Sequence, residues 1–353
     1  MSSTSEQIQN RQEKVQPKKD QQRKERIDRG IKVRSDGLYA LMSFREISYL
    51  TLPRFILIAG FLLLPFFVPG MYWQRVISIV CIYSLLALSF DFLAHYVGLV
   101  CLGGAFFIGT GGYITGILNS YFAFPPIVSI PLATLLGALL STIMLLPCLP
   151  LKGVYFAIAT LMYPLFMARV IEAFDIFGGT DGIMGIDSFS SSFVEQYFVI
   201  IMVLLFLFGL RRFVTTDRGL IFTAIMDNDQ AVKASGINIT KYKALAVFIA
   251  SSMGCLGGAC LTHIYMWTGI SQFALDFSIL PIAATVIGGA GTLVGPILGC
   301  LILVPVSELL RDFGTLRIVF YALILVGFIM FRSDGIMVFG KRKYEQFERW
   351  TKI

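Results

Sequence analysis

Long apolar segments, repeated along most of the chain, constrain its fold more than any other feature of the sequence. A hydrocarbon core about 30 Å thick is crossed by roughly 20 apolar residues in a helix. Hydrophobic residues make up 56% of the 353 residues and charged residues only 14%, which is too little charge to cover a water-soluble fold of this length. We therefore predict an all-α polytopic membrane protein. The continuous apolar segments are 55–69, 76–94, 98–118, 127–147, 152–171, 194–210, 244–267 and 316–331.

A further apolar stretch, 279–310, is interrupted by glycine and proline. Each half is short for a complete crossing, so the stretch forms either a re-entrant pair of half-helices or two short crossings. The chain then has about 8–10 transmembrane helices, and we favour eight with a re-entrant pair. Small residues four positions apart, such as Gly254 with Gly258 and Gly295 with Gly299, predict close packing between helices. The interrupting residues are Gly288, Gly289, Gly291, Gly295 and Pro296.

The first 53 residues are polar and basic, with eleven Lys and Arg against seven Asp and Glu. Such a segment can be an arm that binds nucleic acid, but beside so many apolar segments we predict a cytoplasmic tail and no nucleic-acid partner. Apolar residues recur at every third position over 38–52, which indicates either a helix lying on the membrane surface or a simple linker.

Charge elsewhere in the chain predicts its orientation, because Lys and Arg are enriched on the cytosolic side of membrane proteins. The long polar interruption 211–243 is basic, whereas 172–193 contains four acidic residues and no Lys or Arg. We predict that 54–331 is the transmembrane domain, that 211–243 is its cytosolic loop, and that 332–353 is a cytoplasmic tail. The protein would be a multi-pass membrane protein with both termini in the cytoplasm.

Groups of residues able to perform chemistry are nearly absent from the sequence. Neither His95 nor His263 has a Cys, Asp or Glu at metal-ligand spacing, so we predict no metal site. The pattern G-x4-G-K over 335–341 resembles a phosphate-binding loop, but Arg342 replaces the Ser or Thr that should hold magnesium. We predict that the chain is not an enzyme and binds no cofactor itself. The six cysteines are predicted to be free buried thiols: Cys81, Cys101, Cys148, Cys255, Cys260 and Cys300.

The cytosolic loop has the signature of a short helix. Residues 227–229 resemble a helix start and Gly236 a helix stop, whereas 216–219 resembles a turn. Between these signals, Ala231 and Ala234 would be exposed among polar side chains. A small exposed helix suits docking into a groove on another protein, and the alternative is an ordinary solvated loop. One face of the helix would carry Ile225, Asp229, Val232 and Gly236.

Asp91 is the one acidic residue fairly deep in a predicted span. A lone carboxylate is costly in lipid, so it should face protein or water. His95 follows one helical turn later and could pair with it. Asp91 is therefore either a residue of a pathway or gate, or half of a pair at the membrane interface.

Five blocks, in this order over residues 76–335, resemble the permease subunits of branched-chain amino acid ABC importers, the LivM-like family. The chain departs from that pattern at Gly103–Ala105, where many members carry a His. The blocks are Ala87–Leu93 with Gly98–Gly103, Leu151–Leu161, Gly178–Ile183, Ala224–Asn238 continuing into Thr240–Lys243, and Val286–Pro296.

The resemblance implies an ABC importer permease fold that works in a complex, in a bacterial inner (plasma) membrane. The implied partners are a second permease subunit, making a heterodimer, two cytosolic ABC ATPases that bind ATP and Mg, and a periplasmic or extracellular binding protein. The residues implied in coupling to an ATPase are Ala224, Ile225, Asp227, Asp229, Ala231, Val232, Ala234 and Gly236. Those assigned to the translocation pathway or to binding-protein contact are Asp91, His95, Gly178, Gly179, Thr180, Asp181, Gly289 and Gly291.

Branched-chain amino acids are the solutes that the resemblance implies, and urea or short amides are the alternative within the same class. A second class is a secondary transporter that works alone. It would need deep charged residues and usually an inverted repeat, and the sequence shows no convincing repeat. A third class, a membrane-embedded enzyme, lacks a cluster of acid, base or metal ligands.

Overall fold

The fold is that of a computed structural model, which describes residues 60–62, 65–66, 70–189, 191–311, 314, 316–331 and 335–337. The chain divides into two units, Met1–Gly60 and Phe61–Ile353, and the account below concerns the second. The predicted tail 1–53 with its interfacial helix 38–52, most of the apolar segment 55–69, and most of the tail 332–353 lie outside the described residues.

Eleven α-helices occupy most of the described residues. Two short strands, β1 (Ile183–Met184) and β2 (Trp267–Thr268), pair antiparallel. One π-helical turn, Leu93–Val97, continues the first helix, and 3-10 turns lie at Leu146–Cys148 and Ile270–Phe273. The helices are α1 (Met71–Phe92), α2 (Gly104–Ser120), α3 (Pro126–Leu145), α4 (Val154–Phe174), α5 (Ser192–Val214), α6 (Asp217–Asp227), α7 (Asp229–Ala234), α8 (Ile239–Tyr265), α9 (Asp276–Gly288), α10 (Gly295–Leu309) and α11 (Leu316–Phe331).

Six helical segments among the described residues are long and apolar enough to cross a membrane, which confirms the all-α polytopic class. The predicted span 98–118 begins later than expected. Gly98 has φ +75° and ends the π-helical turn, and α2 starts only at Gly104. The six segments are Met71–Val97, Pro126–Cys148, Val154–Phe174, Ser192–Val214, Ile239–Tyr265 and Ile270–Gly288.

Helices α1, α2 and α8 form the centre of the bundle, and α3, α4 and α5 lie at its periphery. In their most apolar windows 89% of the residues of α1 and 72% of those of α8 are buried, against 28% in α4. A Cβ at Gly258 would overlap the carbonyl oxygen of Ile108, and one at Gly254 would lie against Phe107. The predicted close packing of Gly254 and Gly258 is thus confirmed, because only glycine allows α8 and α2 to approach so closely.

Contacts between the helices fix their relative directions. The Ser89 hydroxyl donates to the Ala250 carbonyl at 3.0 Å, and Gly257 packs against Ile82, so α1 runs antiparallel to α8. The bundle has one end that carries residues 211–243, which we call the basic end, and one that carries the loop 175–191, which we call the acidic end.

Helices α9 and α10 form an antiparallel hairpin whose two arms are in backbone contact. A Cβ at Gly288 would overlap the Gly295 carbonyl, and one at Gly299 would overlap the Ala284 carbonyl. The predicted packing of Gly295 and Gly299 is therefore confirmed, and so is the break between the two halves of 279–310.

The α10 arm of the hairpin extends along the whole of α1, and α9 together with the 3-10 turn before it forms a segment long enough to cross a membrane. The tip of the hairpin, residues 289–294, lies at Asp91, near the end of α1, because the Gly291 N–H donates to the Asp91 carboxylate at 2.6 Å. At the other end, the Tyr72 hydroxyl donates to Glu308 at 2.8 Å. Tyr72 and Asp91 are about 28 Å apart along a helix. This favours two crossings over a re-entrant pair, the alternative that we preferred from the sequence.

Candidate functional site

The segment between α5 and α8, at the basic end, is helical almost throughout. The Asn228 side chain accepts from the backbone N–H groups of Gln230 and Ala231 at 3.0 and 3.2 Å and so starts α7. Gly236, with φ +81°, follows the end of α7. The helix start predicted at 227–229 and the stop predicted at Gly236 are confirmed.

The turn predicted over 216–219 is wrong from Asp217 onwards, because α6 begins there. Asp217 lies in the first turn of α6, where a negative charge stabilises the helix dipole. Gly219 lies inside α6 and is required by a close approach. A Cβ at this position would overlap the Val214 carbonyl, so glycine allows the sharp corner between α5 and α6.

One side of this segment is anchored in the bundle. Ile225 of α6 and Val232 of α7 are buried. Phe222 is fully buried, and its ring lies 5.8 Å from both Phe92 and Phe213. Two of the predicted coupling residues, Ile225 and Val232, therefore hold the segment in place and do not face outwards.

Asp229 joins α7 to two other elements. Its Oδ2 lies 2.8 Å from Lys152 Nζ, just before α4, and 3.2 Å from Lys243 Nζ, near the start of α8. Burial alone would raise the pKa of Asp229, but the hydrogen bonds and charges of the two lysines outweigh it and hold the pKa below its usual value. The carboxylate is therefore ionised at neutral pH and committed to contacts within the chain.

The opposite side of the segment is exposed, and small residues lie on it among polar and charged side chains. Two cavities, of about 350 and 590 Å³, lie beside it and share the Lys152–Asp229 bridge. Met226 lines the smaller cavity and is 48% exposed. The small residues on this side offer little steric hindrance to a docking partner. The exposed members of the predicted coupling set are Ala224, Asp227, Ala231, Ala234 and Gly236.

Asp91 is buried at the same end of the bundle. Its two oxygens accept from the backbone N–H groups of Gly291, at 2.6 Å, and Leu293, at 3.1 Å. His95 Nδ1 lies 2.9 Å from Asp91 Oδ1, an ion-pair distance, although the two atoms are not aligned for a hydrogen bond. The predicted pairing with His95 is thus present. Gly289 and Gly291 shape the hairpin tip with φ +117° and +76°.

The predicted outer loop residues lie at the acidic end, far along the bundle from Asp91. The Gly178 carbonyl accepts from the Asp181 N–H at 3.0 Å, and the Trp267 indole donates to the Asp181 carbonyl at 2.9 Å. The backbone is therefore folded into a turn and tied to β2, while the side chains of Thr180 and Asp181 are exposed. Gly179 is buried against Asp175. The assignment of these residues to binding-protein contact stays a prediction, as does that of Asp91, His95, Gly289 and Gly291 to a pathway.

A second set of contacts at the acidic end was missed by sequence reasoning. His263 bonds Ser129 through Nε2 at 2.8 Å and the Asp187 carbonyl through Nδ1 at 2.7 Å. The Asn119 amide donates to the Asp187 carboxylate at 2.9 Å. These residues fix the outer loop on α2, α3 and α8. Their only signal in the sequence was a polar side chain inside or beside an apolar segment, because the partners are far apart in the chain.

Together these features define a multi-pass α-helical membrane protein with a folded helical segment, 217–236, at one end. Within the described part of the chain, no group of three or more His, Cys, Asp or Glu could hold a metal ion.

The profile of one protein family, described as "Branched-chain amino acid transport system / permease component", matches residues 73–332. The chain belongs to this family of transport permeases, which confirms the resemblance seen in the sequence.

Individual relatives agree with the family match. The chain is 25% identical over 287 residues to the "High-affinity branched-chain amino acid transport system permease protein LivM" of Salmonella typhimurium, covering 72% of this chain and 68% of that protein. It is 24% identical over 291 residues to the protein of the same name from Escherichia coli, covering 74% and 68%. A "Probable branched-chain amino acid transport permease protein LivM" of Methanocaldococcus jannaschii is 30% identical over 225 residues, covering 59% and 65%. No solved structure matches the chain.

Proposed function

We propose that this chain is the permease subunit of an ATP-binding-cassette importer that carries branched-chain amino acids across a bacterial inner membrane. The main support for coupling of transport to ATP hydrolysis is the segment 217–236, which we call the docking segment. It is buried on one side by Ile225 and Val232 and exposes Ala231 and Ala234 on the other. The choice of solute rests on the names of the relatives.

The basic end faces the cytosol in this proposal, and the acidic end faces outwards. Support comes from Lys152, Arg211, Arg212, Lys233 and Lys243 at the basic end and from the acidic loop 175–191 at the other. Both termini are then cytoplasmic.

The chain catalyses no reaction in this proposal. Two cytosolic ATPase subunits bind ATP and Mg and dock on the exposed face of α7. A second, different permease subunit completes the channel, and a binding protein delivers the solute at the acidic end, where Thr180 and Asp181 are exposed.

Movement of the ATPases would reach the spans through Asp229. Because its carboxylate holds Lys152 and Lys243, displacement of α7 pulls on the starts of both α4 and α8. Closure of the ATPases around ATP then shifts the bundle between inward-open and outward-open states through differential contacts at this segment.

The decisive experiment places charge on the proposed docking face. The double variant Ala231→Glu with Ala234→Glu should bring down less ATPase on purification and lose most ATP-dependent leucine uptake in vesicles, because two carboxylates would need desolvation at the interface. Ala173→Glu is the matched control, since Ala173 is exposed at the acidic end. Full ATPase recovery and full uptake in the double variant would contradict the docking assignment.

The same vesicles separate the remaining alternatives. If excess urea or acetamide does not reduce the uptake of leucine, isoleucine and valine, the proposed solute class is supported. Inhibition by those amides favours the alternative class. Uptake by the chain alone, driven by an ion gradient without ATP, would indicate a secondary transporter.

A further inference from the structure

The π-helical turn at the end of α1 lies against the docking segment. The Phe92 ring, just before the turn, meets the Phe222 ring of α6 edge-on at 5.8 Å. Gly98, just after the turn, approaches α6 so closely that a Cβ there would lie 3.3 Å from Met226 Cα. A displacement of α6 must therefore move this turn or open a gap in a packed contact.

The other side of the same turn holds the tip of the α9–α10 hairpin. Asp91 accepts from the N–H groups of Gly291 and Leu293, and the Tyr96 hydroxyl donates to the Gly291 carbonyl at 2.9 Å. Gly291 and Leu293 both have positive φ, +76° and +58°. Successive N–H groups in such a conformation converge and attract an anion, and here the anion is a side chain of α1.

The contacts of Asp91 differ from those expected of a residue that meets solute. Its side chain has no exposed surface in this chain, and each oxygen accepts from a backbone N–H of the tip. The backbone of Leu293, with φ +58°, is in a conformation that an L residue adopts at a cost, so contacts of the tip must offset it. The carboxylate stabilises this tip conformation together with Tyr96, the hydroxyl of Thr292 and the burial of the Leu293 side chain.

We propose that Asp91 is a positioning residue that fastens the hairpin tip to the π-helical turn, so that displacement of α6 by a docked ATPase moves α9 and α10. A π-helical turn is a rare, interrupted part of a helix that is frequent at functional sites, and here it links two elements that are distant in sequence. This inference rests on the proposed function and adds a second route of coupling to the one through Asp229.

The first test uses the complete transporter in vesicles, with ATP hydrolysis and leucine uptake measured on the same sample. Asp91→Asn keeps the shape but replaces one accepting oxygen by an N–H group. The number of leucine molecules taken up per ATP hydrolysed should fall about tenfold. The loss of one hydrogen bond to a charged group changes an equilibrium constant by roughly this factor. The KM for the loaded binding protein should not change, because no solute contact is altered.

Two further variants keep the test decisive if Asp91→Asn fails to fold. Tyr96→Phe removes one hydroxyl from a partly exposed residue and should lower uptake per ATP about threefold, as expected for one neutral hydrogen bond. Ser89→Ala is the matched control. It removes a buried hydrogen bond from the same helix, but to Ala250 of α8, and should leave the ratio unchanged.

Movement of the tip can be measured directly at Ala290, which is exposed. The rate at which a thiol reagent labels Ala290→Cys should differ between ATP-free and ATP-trapped transporter, and Asp91→Asn should abolish the difference. If Asp91→Asn raises the KM for the loaded binding protein but leaves leucine uptake per ATP unchanged, Asp91 belongs to the solute path and the proposal is overturned. A labelling difference that persists with Asp91→Asn would also overturn it. If the wild-type chain binds no ATPase, the proposed function fails first, and this inference with it.

Discussion

At the scale of single residues, the docking segment depends on a few polar contacts that bridge distant parts of the chain. Asp229 binds both Lys152 and Lys243, and Lys243 is almost buried. A buried cation that loses its counter-charge is strongly destabilising. The segment is therefore fixed by electrostatics as well as by the apolar anchors Ile225 and Val232.

Replacement of Asp229 should loosen α7 without unfolding the bundle. In Asp229→Asn we expect backbone amides of 229–237 to exchange hydrogen at least about tenfold faster, because the loss of one charged hydrogen bond is worth about 1.5–3 kcal/mol. Hydrogen-exchange mass spectrometry measures this. Asp227→Asn is the control, since Asp227 is exposed two residues earlier. Equal effects of the two changes would contradict a special role for Asp229.

The pH dependence of the same contact follows from the lowered pKa of Asp229. A carboxyl group with a lowered folded-state pKa stabilises the fold above its unfolded-state pKa and loses that contribution as pH falls through the folded-state value. The difference in hydrogen-exchange protection of the α7 amides between the wild-type chain and Asp229→Asn should therefore be constant from about pH 5 to 8. It should disappear only below the ordinary value of 3.8. Loss of the difference near pH 6 would indicate another titrating group.

At the scale of elements, the α9–α10 hairpin shows how small residues replace apolar side chains as the basis of packing in lipid. Gly288 and Gly295, and likewise Ala284 and Gly299, bring the two backbones into contact. The spacing of these residues made the packing predictable from the sequence. The full depth of the hairpin was not predictable, because it depends on the bonds from Asp91 and Tyr72 to residues about 200 positions away.

Gly299→Ala should destabilise the bundle by about 1–3 kcal/mol, because the new methyl group would force the two arms of the hairpin apart. Gly209→Ala is the matched control. It lies in α5, where a Cβ meets no atom within 4 Å, so the helix should tolerate the change or gain slightly. The midpoint of denaturant-induced unfolding in mixed micelles compares the two. A Gly299→Ala midpoint equal to wild type would contradict the close approach.

Other elements show why sequence reasoning succeeds or fails. The start of α7 was predictable because Asn228 acts on its own neighbours in the chain. The start of α6 was not, because Gly219 serves a contact with Val214 across a corner and in the sequence looks like an ordinary turn residue. Lys152 was missed for a similar reason, since its partner lies 77 positions later.

At the scale of the whole molecule, the two ends of the bundle differ in charge and in shape. The basic end carries the docking segment and the hairpin tip, and the acidic end carries a loop fixed by Asn119, His263 and Trp267. The apolar segments and charges in the sequence predicted this polarity. They could not predict that α1, α2 and α8 lie at the centre, because every span is similarly apolar and burial depends on which helices meet.

The polarity can be tested with introduced thiols. An impermeant reagent added outside intact cells should label Met184→Cys, exposed at the acidic end, and should not label Ser235→Cys, exposed beside α7. After permeabilisation both should react, which controls for accessibility. Labelling of Ser235→Cys from outside would invert the orientation and remove the basis for docking on a cytosolic ATPase.

The position of α8 has a practical consequence. Only four residues separate the end of α7 from the start of this helix, which then contacts α1, α2 and α3 along its length. The Lys152–Asp229 bridge and the cavities beside it are open to water. A polar inhibitor bound in either cavity would restrict the movement of α8 from the aqueous side. It would not have to partition into lipid or compete with the transported solute.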